Sequence, residues 1–165
     1  MLGVADPALK LMLLLCRDAA LRAATAYAVC SGDVVKGRIQ VKTKNHGSIT
    51  VPVGGELQGL VMAAVALARS SRQPLIEALG APSGPGHAGA MHHRLKRAKD
   101  RAGVTSVWTF HDLRRTAAQA LYEQSHDLRT VQSLLGHKQV GNTLRYLNAA
   151  RVELTPEMLK GVQHG

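Results

Sequence analysis

Three short runs in this chain carry side chains that can move protons and hold anions: His111-Asp-Leu-Arg114, Leu134-Leu-Gly-His137 and Thr143-Leu-Arg-Tyr146. Histidine titrates near neutral pH and serves as acid or base. Arginine stays protonated and offers oxyanions a rigid fork of donors. Tyrosine becomes a nucleophile once a neighbour activates its hydroxyl. Each run alone is commonplace. A histidine and an arginine three residues apart share one face of many helices, a histidine often follows a helix-ending glycine, and a helix tyrosine usually packs. The order of the runs, with Tyr146 nine residues after His137, is what makes the set specific. Tyr27 and Tyr122 lack that context and are expected to pack.

From Phe110 to Leu147 the chain reads FHDLRRT…VQSLLGHKQVGNTLRYL. This stretch resembles the tyrosine recombinase (phage integrase) family. The likeness extends back to about Ala19, where Ala20-Leu21-Arg22 fits the family's Gly-Leu-Arg-x-x-Glu context. It also covers Lys44, eight residues before Pro52, the spacing of the family's hairpin lysine. The resemblance implies a phosphoryl transfer in which charge neutralisation and in-line positioning carry catalysis. Arg22 and Arg114 would grip the non-bridging oxygens, and His137 would add a donor to them. His111 would serve as acid/base toward the tyrosine hydroxyl, Lys44 would protonate the departing 5′ oxygen, and Tyr146 would form a 3′-phosphotyrosyl link. Such chemistry implies no metal and no other cofactor.

The sequence departs from the family at two of these places. Thr25 stands where the family has an acidic residue three after the first arginine, and Arg115 stands where histidine is frequent. The chain also begins about where the family's catalytic domain begins. Residues 1–165 are therefore expected to be a single catalytic domain without the N-terminal core-binding domain, with a tail over 150–165. The implied activity is site-specific DNA recombination by cleavage and rejoining. The alternatives are an inactive DNA-binding remnant and a type IB topoisomerase-like relaxing enzyme. The expected partner is double-stranded DNA. A second copy could dock through the tail, where Leu154, Met158, Leu159 and Val162 form an apolar face. A bacterial or phage-encoded cytoplasmic protein fits this reading.

Composition sets the frame for these side chains. The 165 residues carry a net charge of +10 and are 45% hydrophobic, which fits one folded domain with a polyanionic partner, nucleic acid or an acidic membrane surface. Only 3% are aromatic, too few for a binder that stacks single-stranded bases. Cys16 and Cys30 form no CxxC and are expected to be reduced. The apolar run Leu11–Leu15 is too short to span a bilayer.

The elements that must position the site follow from periodicity and punctuation. Asp6-Pro7 reads as the start of an Ala- and Leu-rich helix running to about Val29, with Leu11, Leu15 and Ala19 on its buried face and Arg22 late in it. Arg38–Lys42 and Ile49–Val53 read as a hairpin with Lys44 in its turn. Helices are expected over about Glu56–Ser70, Ala90–Ala102, Asp112–Gln124, Asp127–Leu135 and Val140–Ala149, with short pieces near Leu75 and after Thr155. Gly80–Gly89 is a loop. The helix from Ala90 has Met91, Leu95, Ala98 and Ala102 on one face and is basic elsewhere. Arg94, Lys96, Arg97 and Arg101, together with Arg115, are the candidate DNA-phosphate contacts. The fold class is mainly α (α+β): a helical catalytic domain with a small antiparallel β-hairpin or sheet, of the tyrosine recombinase catalytic-core type.

Overall fold

The computed structural model describes residues 2–42, 48–84 and 87–147. Lys44, the tail over 150–165 and the short helix expected after Thr155 lie outside the described residues. The first helix, α1 (Pro7–Arg17), starts as expected, with Pro7 at its first position and the Asp6 carboxylate accepting the Leu9 N–H at 3.0 Å. Ala8, Leu9 and every residue from Leu11 to Cys16 are buried. A helix apolar all round belongs in an interior, and α1 runs through the middle of the molecule with helices packed about it. Burial pushes the Cys16 thiol up to about 12, against the opposing pull of Arg114.

The expected single helix to Val29 is corrected. Helix α1 ends at Arg17, and a new helix, α2 (Ala23–Ala28), starts with Arg22 at its N-cap. Between them Ala20 takes a left-handed conformation at φ +50°, and the Leu21 N–H folds back to the Leu15 carbonyl at 3.0 Å. High local helix propensity loses here to a distant requirement. In a continuous helix the Ala20 carbonyl would accept an N–H one turn on. The break frees it, and the buried guanidinium of Arg114 donates to it instead.

Strands β1 (Val34–Val35), β2 (Arg38–Lys42) and β3 (Ser48–Pro52) form an antiparallel sheet in chain order. In the β2–β3 register Arg38 faces Pro52 and Lys42 faces Ser48. Ile39 and Val41 turn inward while Arg38, Gln40 and Lys42 face outward. Strand β1 was not expected. It is joined to β2 by Lys36-Gly37, both at positive φ (+48° and +70°), as a two-residue hairpin turn requires.

Helices α3 (Gly55–Leu67) and α4 (Leu75–Ala78) follow, then α5 (His87–Arg101), which starts inside the expected Gly80–Gly89 loop and buries Met91, Leu95 and Ala98 as expected, while Ala102 falls past its end and is half-buried. Helix α6 (Phe110–Ser125) is capped by Thr109, whose backbone N–H and hydroxyl both donate to the Asp112 carboxylate at 2.8 Å. Helix α7 (Leu128–Leu135) is capped by Asp127 and stopped by Gly136 at φ +59°. Helix α8 (Val140–Tyr146) ends earlier than the expected Ala149: Leu147 is extended, so Tyr146 is the last helical residue.

Buried side chains fall into two clusters. The larger surrounds α1 and takes in the sheet, α3, α4, α5 and Phe110. The smaller joins Ala20, Ala118, Val131, Leu135 and Leu147, with Tyr122 and Tyr146 packed against it. Among the described residues, no helix is long and apolar enough to cross a membrane.

Candidate active site

Helix α6 supplies His111 and Arg114, the α7–α8 turn supplies His137, and the end of α8 supplies Tyr146. The structure brings all four together. Tyr146 Oη lies 2.6 Å from His111 Nε2. The ring centroids of Tyr146 and His111 are 5.1 Å apart, and the His137 ring meets Tyr146 edge-on at 5.2 Å. The guanidinium carbon of Arg114 sits 5.8 Å from the centre of the same tyrosine ring. His111 is exposed and Tyr146 half-buried, so solvent or substrate can reach the hydroxyl.

Arg114 is 2% exposed. One terminal nitrogen donates to the Ala20 carbonyl and the other to the Leu135 carbonyl, the latter at 2.8 Å. Two of its five N–H donors are thus committed to holding the group still, and each terminal nitrogen keeps a second hydrogen. Burial, and next the nearby positive charge of Arg22, hold its pKa below the ordinary arginine value. Two cations placed so close repel each other until an anion joins them.

Arg22, at the α2 N-cap, lines a cleft of about 390 Å³ bounded by α2, β2, β3, Arg114 and Gly136. Thr25 and Lys42 line it too. Among its described lining residues Arg22, Lys42 and Arg114 are cationic and none is a carboxylate. Thr25, where the resemblance led one to expect an acidic residue, lines the same wall as Arg22. Lys42 was not singled out from sequence. The alternation of β2 was the available signal, because it points Lys42 away from the core together with Arg38. Lys44 is outside the described residues.

His137 is fixed from two directions. The Gln132 side chain donates to its carbonyl at 2.9 Å, and its own N–H donates to the Gln132 carbonyl at 3.1 Å. Its Nδ1 lies 3.1 Å from the hydroxyl of Thr143, which is fully buried on α8. Desolvation first, then Arg114 and Arg22, bring the His137 pKa down to about 4. The ring is therefore neutral at pH 7.

The candidate DNA contacts separate into kinds. Arg94 donates to Asp6 at 2.9 Å and to the Gly80 carbonyl at 2.8 Å, tying α5 to the start of α1. Lys96 pairs with Asp100 one turn away at 3.2 Å. Arg101 reaches back to the Arg97 carbonyl, and Arg94, Arg97 and Arg101 border one shallow hollow. Arg115 donates to the Tyr146 carbonyl at 3.2 Å, at the end of the helix that carries the tyrosine. No α5 residue is among the described lining of the Arg22–Arg114 cleft. Tyr27 packs, with its single hydroxyl hydrogen shared between the Pro82 carbonyl and the Glu77 carboxylate as acceptors.

The site is thus set in a helical domain with a three-stranded sheet: a tyrosine and two histidines gather about Arg114, beside a cationic cleft that Arg22 and Arg114 line. The phage integrase family profile matches residues 4–153, and the chain belongs to that family. Among curated relatives, an Escherichia coli integrase/recombinase is 46% identical over 58 residues, covering 35% of this chain and 17% of that protein. Tyrosine recombinase XerC of Xylella fastidiosa strain M23 is 34% identical over 115 residues, 69% of this chain and 38% of that one. Matches to these relatives thus cover well under half of their length. Among solved structures, XerA recombinase aligns with a TM-score of 0.70 at 17% identity, over 98% of this chain and 57% of that one. The catalytic domain of bacteriophage HP1 integrase aligns at 0.62 and 19% identity, over 98% and 86%. A XerH recombinase bound to its difH substrate before cleavage aligns at 0.69 and 18% identity, over 94% and 46%.

Proposed function

We propose that this chain breaks and rejoins double-stranded DNA through a covalent 3′-phosphotyrosyl intermediate, and so carries out site-specific recombination. The observation that carries the reading is the 2.6 Å contact between Tyr146 Oη and His111 Nε2, beside the guanidinium of Arg114. In the first step Tyr146 Oη attacks phosphorus while His111 takes its proton. The P–O5′ bond breaks in line, and Lys44 is the assigned donor of a proton to the leaving 5′ oxygen. Arg22 and Arg114 balance the charge on the non-bridging oxygens, with His137 as a neutral donor to the same group. A second 5′ hydroxyl then attacks the phosphotyrosine and releases Tyr146, so the bond energy of the phosphodiester is conserved. Lys42, which lines the cleft with Arg22 and Arg114, is the assigned further phosphate contact.

The test is a duplex nicked beside the scissile phosphate, which lets the cleaved end diffuse away and strands the enzyme on DNA. The chain is expected to accumulate a covalent adduct, and Tyr146→Phe to abolish it while keeping duplex binding. Adduct formation by the phenylalanine variant would overturn the assignment. Binding without any adduct in the unaltered chain would favour a DNA-holding remnant. Relaxation of supercoiled plasmid without site preference would move the reading to a topoisomerase-like enzyme.

A further inference from the structure

The contact between Thr143 and His137 fixes more than a position. Threonine hydroxyls inside helices commonly donate to the carbonyl four residues back. Thr116 does so to Asp112 at 3.0 Å, and Ser125 does the same to Leu121 at 2.8 Å. Thr143 does not. The carbonyl four residues before it, Gln139, accepts the Asn142 N–H at 3.1 Å. Among the described residues the Thr143 hydroxyl has one partner, His137 Nδ1 at 3.1 Å, and Thr143 is fully buried. A buried hydroxyl hydrogen without an acceptor is costly, and Nδ1 is the acceptor at hand.

We propose that Thr143 is a positioning residue that selects the Nε2–H tautomer of His137. The Thr143 hydroxyl donates to Nδ1, so the single proton of the neutral ring resides on Nε2, on the side away from Thr143. His137 then presents an N–H to the phosphate. The opposite tautomer would present a lone pair that repels the non-bridging oxygens. The low pKa of His137 is consistent with this, because a neutral ring has only one N–H to place. The inference rests on the strand-transfer reading for the use to which the N–H is put, but not for the tautomer itself.

The tautomer is read directly from long-range ¹H–¹⁵N spectra of the ¹⁵N-labelled full chain without DNA at pH 7, with His137 signals assigned by their loss in His137→Gln. An unprotonated Nδ1 and a protonated Nε2 are expected, and the same in Thr143→Ser. A protonated Nδ1 in the unaltered chain would overturn the proposal. In the nicked-duplex assay Thr143→Val, which keeps the shape and loses the hydroxyl, is expected to slow adduct formation about tenfold, the worth of one hydrogen bond to a charged group. Duplex affinity stays unchanged and Thr143→Ser restores the rate. Adduct formation by Thr143→Val at the unaltered rate, or by Thr143→Ser as slowly as Val, would equally overturn it. Should Thr143→Val fail to fold, the spectra of the unaltered chain and of the serine variant still decide. If the unaltered chain forms no adduct, the strand-transfer reading fails while the spectrum still reports the tautomer.

Discussion

The two buried clusters are built on opposite principles. Around α1, leucines and other aliphatic side chains fill the interior, and its eight buried residues include no charged group. Around Ala118 and Leu135 the apolar set is small, and order comes from directional contacts: Arg114 to two carbonyls, Gln132 and Thr143 to His137, Arg115 to the Tyr146 carbonyl. Burial by area tolerates small shifts, because dispersion and hydrophobic terms are non-directional. Hydrogen bonds weaken steeply with angle. The molecule thus keeps its stability in one region and the geometry of its chemistry in the other.

The sharpest way to break this division is to damage each side and read both stability and DNA capture. Leu14→Ala, at a fully buried position on α1, is expected to cost about 3–4 kcal/mol. A shifted midpoint in urea checks it, and the fraction still folded should form adduct normally. Arg114→Ala strips donors from the Ala20 and Leu135 carbonyls and is expected to cost about 2 kcal/mol. Unlike Leu14→Ala, it should eliminate the adduct even where folding is complete. Equal loss of adduct per folded molecule in both variants would erase the distinction.

The smallest effect is a pH dependence belonging to the site alone. The folded chain holds His137 neutral down to about 4, whereas an unfolded histidine takes a proton near 6.5. As pH falls through that interval the unfolded state binds the proton and the folded state does not, so stability declines; above it there is no contribution. With the partial exposure of the ring discounted for solvent screening, the loss is about 1 kcal/mol. Urea titrations at pH 7 and 4.5 should show it, and His137→Gln should remove that part of the slope. Asp112 and Asp127 act lower still: side-chain bonds from Thr109 and Thr130 hold their pKa values below the usual one, so the support they give is lost only in stronger acid.

Local features were well written in the sequence. Gly136 marked the end of α7, Met91, Leu95 and Ala98 marked the inner face of α5, alternation marked β2, and a β-branched apolar run marked β3. For the first helix only one buried face, Leu11, Leu15 and Ala19, was read; its burial on all sides was not, because that depends on the other helices that pack about it. Tyr146 and the three residues gathered around it were legible because their types and order survive without coordinates. The break at Ala20 was not, since its cause is a guanidinium 94 positions later. Nor was the hydroxyl of Thr143, whose significance lies in its contact with the His137 ring across the α7–α8 turn. Strand β1 escaped because two residues show no periodicity and Lys36-Gly37 is not among the stronger turn signals.

The break after α1 also governs when the chain can act. Arg114 is locked in place by carbonyls 94 positions before it and 21 after it. Both contacts exist only when segments far apart in the chain have been brought together, and that closure costs chain entropy. On the strand-transfer reading, an incompletely folded copy would carry the tyrosine without the guanidinium that has to stand beside it.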